Sequence, residues 1–202
     1  MVYRIPAVNL VGRGCLAQLK DEIGTLGCKK ALVVSDKFLT ENGVVEKVTK
    51  VLDQVGIEHT LYNDVKQNPS VANVEGGLEV LKKENCDFIV SIGGGSPQDC
   101  GKAISVLATN GGKITDYEGV NKSQKKCLPI VAIATTAGTS AEVTINYVIT
   151  DEETHIKMIM VDRNTLASIT VNDPELMLSK PAGLTAATGM DALTHAMEAV
   201  AV

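Results

Sequence analysis

The chain has 202 residues, of which 45% are hydrophobic, enough to bury a core in one or two domains. A net charge of −5 and an aromatic content of 3% argue against nucleic-acid binding, which needs a basic surface and often stacking rings. No apolar run in the sequence reaches membrane-spanning length, and the first residues lack the apolar region of a signal peptide. We therefore expect a cytoplasmic protein without a membrane partner.

The five cysteines lie far apart and form no C-x-x-C pair, which argues against a disulfide scaffold and a zinc cluster. Reduced, mostly buried thiols are the expectation. Cys100 is the exception to watch, because it falls in the first turn of a predicted helix, where the pKa of a thiol is lowered.

The first half of the chain alternates between strand and helix. The predicted elements are, in order, a buried strand over 31–36, a helix over 39–55, a weaker strand over 57–62 and a helix from Ser70 to about residue 85.

A short apolar strand at 86–92 then ends in three glycines, residues 93–95, followed by helix-start signals. Ser96 is predicted to cap the helix, Pro97 to take its first position and Asp99 to complete a capping box. Glycines let a ligand approach the backbone, and a helix N-terminus offers free N–H groups, so this loop predicts an anion site for a nucleotide phosphate. The alternative is a glycine-rich turn that binds nothing, because the loop is neither a Walker loop nor a G-x-G-x-x-G fingerprint.

The second half continues the alternation. The predicted elements are a helix over 97–109, a buried strand over 128–134, a hairpin formed by 144–150 and 156–161, a short strand over 167–171 and a helix over 185–202. Thr139 and Glu142 fit a capping box, so residues 135–142 are predicted to form a second strand-to-helix junction. Helices between strands predict an α/β fold with a doubly wound, Rossmann-like, mostly parallel sheet and a β-hairpin insertion.

Several polar residues are candidates for binding. Asp36, at a strand tip, suits a ribose hydroxyl and opposes a 2′-phosphate, or it simply caps the next helix. The hydroxyl-rich junction at 135–140 suits phosphate, ribose or an amide, or it only caps a helix. Lys157 could bind ribose or phosphate, although a solvent-facing strand lysine is the ordinary case.

Asp191 and His195 lie four residues apart on the last predicted helix, so a carboxylate and an imidazole can converge on one cation. A surface ion pair is the alternative, and two ligands are too few for a catalytic ion. His59 and His155 are predicted to lie on the surface.

Four motifs, in order, resemble the iron-dependent (group III) alcohol dehydrogenases, especially their lactaldehyde reductase and 1,3-propanediol dehydrogenase branch. They are the run 93–99 with Lys102, the run 135–142, the run 155–157 and the run 184–199, and the resemblance extends from Ile5 onward. Gly101 departs from the alanine usual in the family, which implies a small cost to the helix.

The resemblance implies a role for each candidate. Asp191 and His195 would be the first two ligands of a catalytic Fe²⁺ or Zn²⁺. The cofactor residues for NAD would be Gly94, Gly95, Ser96 and Asp99 at the pyrophosphate, Asp36 at the ribose, Asn68 on the adenosine side, Thr135, Thr136, Thr139 and Lys157 along the groove, and Asn146 near the nicotinamide and substrate.

The resemblance also implies an organisation and an activity. Residues 1–180 would form a dinucleotide-binding domain, and residues 181–202 would start a helical metal-binding domain that, in the family, supplies two further histidines. The activity would be NAD(H)-dependent oxidation of small primary alcohols or diols, or reduction of the aldehydes, in a homodimer formed through residues 3–8. We expect these 202 residues alone to bind NAD with little turnover. The alternatives are a non-catalytic dinucleotide-binding module and a polyol-phosphate dehydrogenase.

Overall fold

The computed structural model describes residues 4–201, which form an α/β fold around a six-stranded parallel sheet. The strands are β1 Val8–Val11, β2 Lys30–Val34, β3 Glu58–Tyr62, β4 Phe88–Gly93, β5 Gly119–Val120, β6 Ile130–Ala134, β7 Asn146–Asp151, β8 Ile156–Val161 and β9 Ile169–Asn172. The α-helices are α1 Leu19–Glu22, α2 Lys37–Glu41, α3 Val44–Gln54, α4 Val71–Glu84, α5 Gly95–Asn110 and α6 Ala182–Ala201.

The order of the sheet is β1-β9-β6-β4-β2-β3, and every neighbouring pair is parallel. The chain leaves β2 first to β3 on one side and then to β4 on the other. This reversal creates a crevice at the carboxyl ends of β2 and β4, the place where doubly wound sheets bind ligands. The Ser35 hydroxyl closes the base of the crevice by donating to the Ile92 carbonyl at 2.9 Å.

Helices pack on both faces of the sheet, so its central strands are buried on both sides. This explains why the sequences of these strands are continuous apolar runs. One core contains Leu32 and Ile89 together with residues of α4 and α5. The other contains Val33 and Val90 together with residues of α1, α2 and α3. The doubly wound architecture predicted from the sequence is confirmed.

The predicted hairpin is confirmed as well. Strands β7 and β8 pair antiparallel, and the short β5 lies beside β8 to complete a second, three-stranded sheet. A bridge between Ser70 and Thr150 brings the tip of β7 to the start of α4. The hairpin is therefore fixed over the carboxyl edge of the main sheet, where it can contribute side chains to a site.

Three boundaries differ from the predictions. The helix predicted over 39–55 is two helices, α2 and α3, separated at Gly43, which takes a left-handed φ of 73°. The helix predicted from residue 97 begins at Gly95. The segment predicted as helical after β6 forms a β6–β7 loop, residues 135–145, without helix.

The N-terminal and C-terminal segments frame the sheet. The homodimer predicted through residues 3–8 stays a prediction. Val8 starts β1, which pairs with β9 at the edge of the sheet; Tyr3 lies outside the described residues. Helix α6 leaves Leu193, Met197 and Val200 more than half exposed. Among the helices within residues 4–201, none is both long and apolar enough to cross a membrane.

Candidate functional site

The first junction runs from β4 directly into α5 through three glycines. Gly94 is the N-cap, with extended backbone at φ −79° and ψ −155°, and no side chain caps the helix. The capping roles predicted for Ser96, Pro97 and Asp99 are therefore wrong, because the helix starts two residues earlier than expected. Since Gly94 carries no side chain, the N–H groups of the first turn are left for an external acceptor.

The glycines are required by close neighbours. A Cβ at Gly93, whose φ is +156°, would lie 2.4 Å from the Pro97 ring. A Cβ at Gly94 would lie 3.0 Å from the Thr136 hydroxyl oxygen, and one at Gly95 would lie 3.4 Å from a Thr139 methyl carbon. The start of α5 and the β6–β7 loop are thus in contact, so the two predicted junctions form one site.

A second set of contacts extends the site toward the hairpin. The Asn68 N–H donates to the Ser96 hydroxyl at 3.2 Å, and Lys157 Nζ donates to Asn68 Oδ1 at 2.9 Å. Asn68 takes a left-handed φ of 55°, a conformation that asparagine tolerates better than most residues. The structure therefore brings Asn68, Ser96 and Lys157, three widely spaced candidates, to the same edge.

Asp36 follows β2 on the other side of the crevice. Its Oδ1 accepts the Leu39 N–H at 2.8 Å, so Asp36 caps α2. This is one of the two roles that the sequence predicted for it. The cap uses one carboxylate oxygen. A role of the other oxygen in binding ribose stays a prediction.

The β6–β7 loop is held by a buried lysine whose importance the sequence analysis missed. Lys102 is 1% exposed, and its ammonium donates to the carbonyls of Ala141 at 2.7 Å, Thr144 at 2.9 Å and Asn146 at 2.7 Å. Burial lowers the pKa of Lys102 to about 8, while the charges of Asp99 and Glu142 oppose the shift. The sequence feature that could have identified Lys102 is that it is the single charged residue in the apolar run 100–109.

Two further candidates lie where β6 ends and β7 begins. Thr135 is buried, and its N–H donates to the Gly93 carbonyl at 3.1 Å, which ties the two strand ends together. Asn146 is exposed at the start of β7, while its carbonyl is one of the three bound by Lys102. Their contacts with a cofactor stay predictions.

In the first turns of α5, Asp99 is partly buried against protein and Cys100 is fully buried. The Asp99 carboxylate accepts the Val148 N–H at 3.1 Å, and burial raises its pKa to about 6. The pKa of Cys100 is raised by burial and by the nearby charge of Asp99. The expectation of a lowered thiol pKa is wrong, because the thiol points into the core and not toward the helix N-terminus.

Asp191 and His195 lie beside the β6–β7 loop. Asp191 Oδ1 is 3.6 Å from His195 Nε2, and both side chains are partly exposed. A Cβ at Gly138, whose φ is +141°, would lie 2.7 Å from Asp191 Oδ2, so α6 is in direct contact with the loop. One carboxylate and one imidazole suit a divalent metal, yet within residues 4–201 they do not belong to a group of three or more potential ligands.

Fold and site together define a doubly wound, Rossmann-like domain, with a carboxylate and an imidazole beside the loop that follows β6. Comparison with known proteins carries this further. The profile of the iron-containing alcohol dehydrogenases matches residues 6–174. The chain belongs to the iron-containing alcohol dehydrogenase family.

Named relatives agree with this assignment. The chain is 54% identical over 197 residues to alcohol dehydrogenase 4 of Schizosaccharomyces pombe, covering 98% of this chain and 47% of the relative. It is 46% identical to the NAD-dependent methanol dehydrogenase of Bacillus methanolicus, covering 98% of this chain and 52% of the relative. A crystal structure of 1,3-propanediol oxidoreductase superposes with a TM-score of 0.94 at 46% identity, over 97% of this chain and 51% of that one. The chain thus spans about half the length of the relatives it matches.

Proposed function

We propose that this chain forms the NAD(H)-binding half of a metal-dependent alcohol dehydrogenase, which transfers hydride between small primary alcohols or diols and nicotinamide. The observation that carries the proposal is the contact of the glycine junction with Thr136 and Thr139. The loop that makes this contact also meets Asp191 at Gly138, so free backbone donors, hydroxyl groups and the Asp191–His195 pair lie along one edge of the sheet, which supports a shared ligand. A turn that binds nothing would not require such convergence.

Different residues bind different parts of the dinucleotide. The first-turn N–H groups at Gly95 and Ser96, with the positive end of α5, hold a pyrophosphate. Lys157, positioned by Asn68, adds a positive charge at the hairpin side. The second carboxylate oxygen of Asp36 accepts from a ribose hydroxyl and repels a 2′-phosphate, which favours NAD over NADP.

Asp191 and His195 would hold one side of a metal ion, with Fe²⁺ and Zn²⁺ both compatible with this donor pair. The metal, when bound, would polarise the alcohol oxygen and lower its pKa so that hydride can leave to the nicotinamide. Further ligands would come from a helical unit like that of the family, packed on the exposed apolar face of α6 formed by Leu193, Met197 and Val200. This chain's own part is to bind the dinucleotide and to place the two ligands beside it.

Titration of the chain with NADH and NADPH, followed by nicotinamide fluorescence, tests the cofactor proposal. We expect NADH to bind more tightly than NADPH, and Asp36→Asn to reduce the preference while keeping the α2 cap, since asparagine caps equally well. Asp53→Asn, on the exposed end of α3, is the matched control for the loss of one negative charge. A chain that binds neither nucleotide would contradict the proposal.

A non-catalytic dinucleotide-binding module is the second candidate, which is supported because no group of three or more residues within 4–201 is arranged to hold a metal ion. Both candidates predict NADH binding. When Fe²⁺ and a primary alcohol are added to this chain, we expect little turnover under either candidate. The candidates differ when the same test is made on a protein as long as the relatives, because only a dehydrogenase would then oxidise the alcohol. Robust alcohol oxidation by the 202 residues alone would show that the metal site is complete without further ligands.

Dimerisation and a reducing, cytoplasmic environment also belong to the proposal. Strand β1 lies at the edge of the main sheet with Val11 exposed, so a second copy can extend the sheet there. The five cysteines are all free thiols, as expected in a reducing compartment. Sedimentation as a monomer at micromolar concentration would contradict the homodimer.

A further inference from the structure

Lys102 is a buried cation that the proposed contacts with NAD do not use. An ammonium has three N–H donors, and the carbonyls of Ala141, Thr144 and Asn146 accept from it at 2.7 to 2.9 Å. No donor is left for a ligand, so Lys102 acts on other parts of the protein. All three acceptors lie in the β6–β7 loop or at its junction with β7.

Backbone hydrogen bonds hold the loop at its two ends, where Thr135 N–H donates to the Gly93 carbonyl at 3.1 Å and Asp162 N–H donates to the Ile145 carbonyl at 3.0 Å. The stretch between these ends has few backbone hydrogen bonds of its own. It contains no helix, and within it the backbone bond from Val143 N–H to the Ser140 carbonyl at 3.0 Å closes a single turn. Gly138 and Ser140 take positive φ values of 141° and 49°, which breaks any regular pattern. Without the ammonium, three carbonyls in a mostly buried setting would lose a charged donor, which is costly.

The position of Lys102 connects the loop to the phosphate-binding end of the same helix. Lys102 lies seven residues, or about two turns, after Gly95 in α5. A single rigid helix thus presents its N-terminus to the ligand and holds the loop that carries Thr136 and Thr139. Asp99 on the helix and Glu142 on the loop flank the ammonium and compensate its charge.

We propose that Lys102 is a positioning residue, which holds the β6–β7 loop against the start of α5 and thereby sets the width of the dinucleotide groove. The inference rests on the proposed NAD binding and assigns to that site a residue that never contacts the cofactor. It also explains why a side chain at Gly94 would be crowded: the loop is drawn to 3.0 Å from where its Cβ atom would be, and to 3.4 Å, an ordinary contact distance, at Gly95.

Lys102→Met, which keeps the length of the side chain and removes its donors, tests the inference. Hydrogen–deuterium exchange of a peptide covering 135–146 should accelerate by about tenfold in the variant, because the loop loses three charged hydrogen bonds. The dissociation constant of NADH should rise about tenfold if the loop of the variant adopts its binding-competent arrangement only about a tenth of the time. Peptides from β2 and β4 should exchange as in the wild type.

Two comparison variants separate positioning from direct contact. Lys157→Met should weaken NADH binding while leaving exchange of the 135–146 peptide unchanged, because Lys157 does not touch the loop carbonyls. Lys102→Arg, which keeps N–H donors and charge, should restore part of the loop protection and of the NADH affinity. Unchanged exchange in Lys102→Met would overturn the inference, and so would a faster loop with undiminished NADH affinity.

A second measurement covers the case in which Lys102→Met does not fold. In wild-type protein labelled uniformly with ¹⁵N and ¹³C, the Lys102 ammonium should give a slowly exchanging Nζ–H signal with couplings through hydrogen bonds to the three carbonyl carbons. Absence of that signal would overturn the inference. A wild-type chain that fails to bind NADH, yet shows the exchange difference in Lys102→Met, would contradict the proposed function and leave the control of the loop by Lys102 supported.

Discussion

The two junctions at the carboxyl edge of the sheet have similar sequences and different structures. Each follows a buried apolar strand, and each is rich in small and hydroxyl residues with an acid where a capping box expects one. After β4 the chain enters α5 at once, whereas after β6 it forms the irregular β6–β7 loop. Local sequence pattern therefore does not decide which of the two junctions becomes a helix.

The difference is explained by where the polar groups of each junction find partners. At the second junction, the Thr139 hydroxyl accepts the Ala141 N–H at 3.4 Å, two residues on, and not the N–H of Glu142 as in a capping box. The carbonyls of Ala141 and Thr144 bond to Lys102 and not to amides of a helix. A charged donor from a neighbouring helix thus replaces the helical pattern.

The largest effect is expected at the first junction. Gly93→Ala places a Cβ 2.4 Å from the Pro97 ring in a backbone conformation unfavourable to L-residues. The free energy of unfolding should fall by about 3 to 5 kcal/mol, and NADH binding should fall with it. Gly24→Ala, where nothing lies within 4 Å of the added methyl group, is the control in the same denaturant titration. Equal stability of the two variants would show that the first junction tolerates a side chain.

A pH effect is expected where the first junction meets the hairpin. Burial raises the pKa of Asp99 from 3.8 to about 6, so the folded chain binds a proton that the unfolded chain has lost in this interval. The stabilisation is complete below pH 3.8 and is lost as the pH rises through about 6, a decrease of about 2 to 3 kcal/mol. Asp99→Asn, which can still accept from Val148, should flatten this part of the stability profile. A wild-type profile that is already flat between pH 4 and 7 would contradict the assignment.

A moderate effect is expected where the second junction meets α6. Gly138→Ala would bring a methyl group to 2.7 Å from Asp191 Oδ2 and 2.9 Å from the Thr188 carbonyl. We expect a loss of about 1 to 3 kcal/mol, and faster limited proteolysis within α6 as the helix moves away from the loop. Gly183→Ala lies within α6 with open space around it and should slightly slow the proteolysis by favouring helix. Equal cleavage of both variants would mean that α6 does not depend on the loop.

The smallest effect is expected at the Asp36 cap, beside the first junction. Asp36→Ala removes the acceptor of the Leu39 N–H and should cost about 1 kcal/mol, whereas Asp36→Asn should cost little. Thermal unfolding of the two variants side by side measures the difference. If both are equally destabilised, the charge of Asp36 matters more than its hydrogen bond.

Much of the fold could be predicted because its signals are local. Continuous apolar runs at 31–36 and 128–134 are typical of strands buried on both faces, and Ser70 and Gly56 mark helix ends by their conformational preferences. The site candidates followed the same logic, since the carboxyl ends of parallel strands converge. The contact between Gly94 and Thr136 agrees with that reasoning, whereas the Asn68–Lys157 hydrogen bond was not expected from it.

By itself, the sequence determined the alternation of strands and helices, the glycine junction and the pairing of Asp191 with His195 on one helix face, because each depends on near neighbours in the chain. The tertiary structure alone decided where α5 begins, that the β6–β7 loop is not a helix, and that Cys100 faces the core. These outcomes depend on groups far apart in sequence, above all on Lys102 and the carbonyl of Asn146, 44 residues away. The role of a lysine inside an apolar helix can be assigned only when the fold shows which acceptors bind its ammonium group.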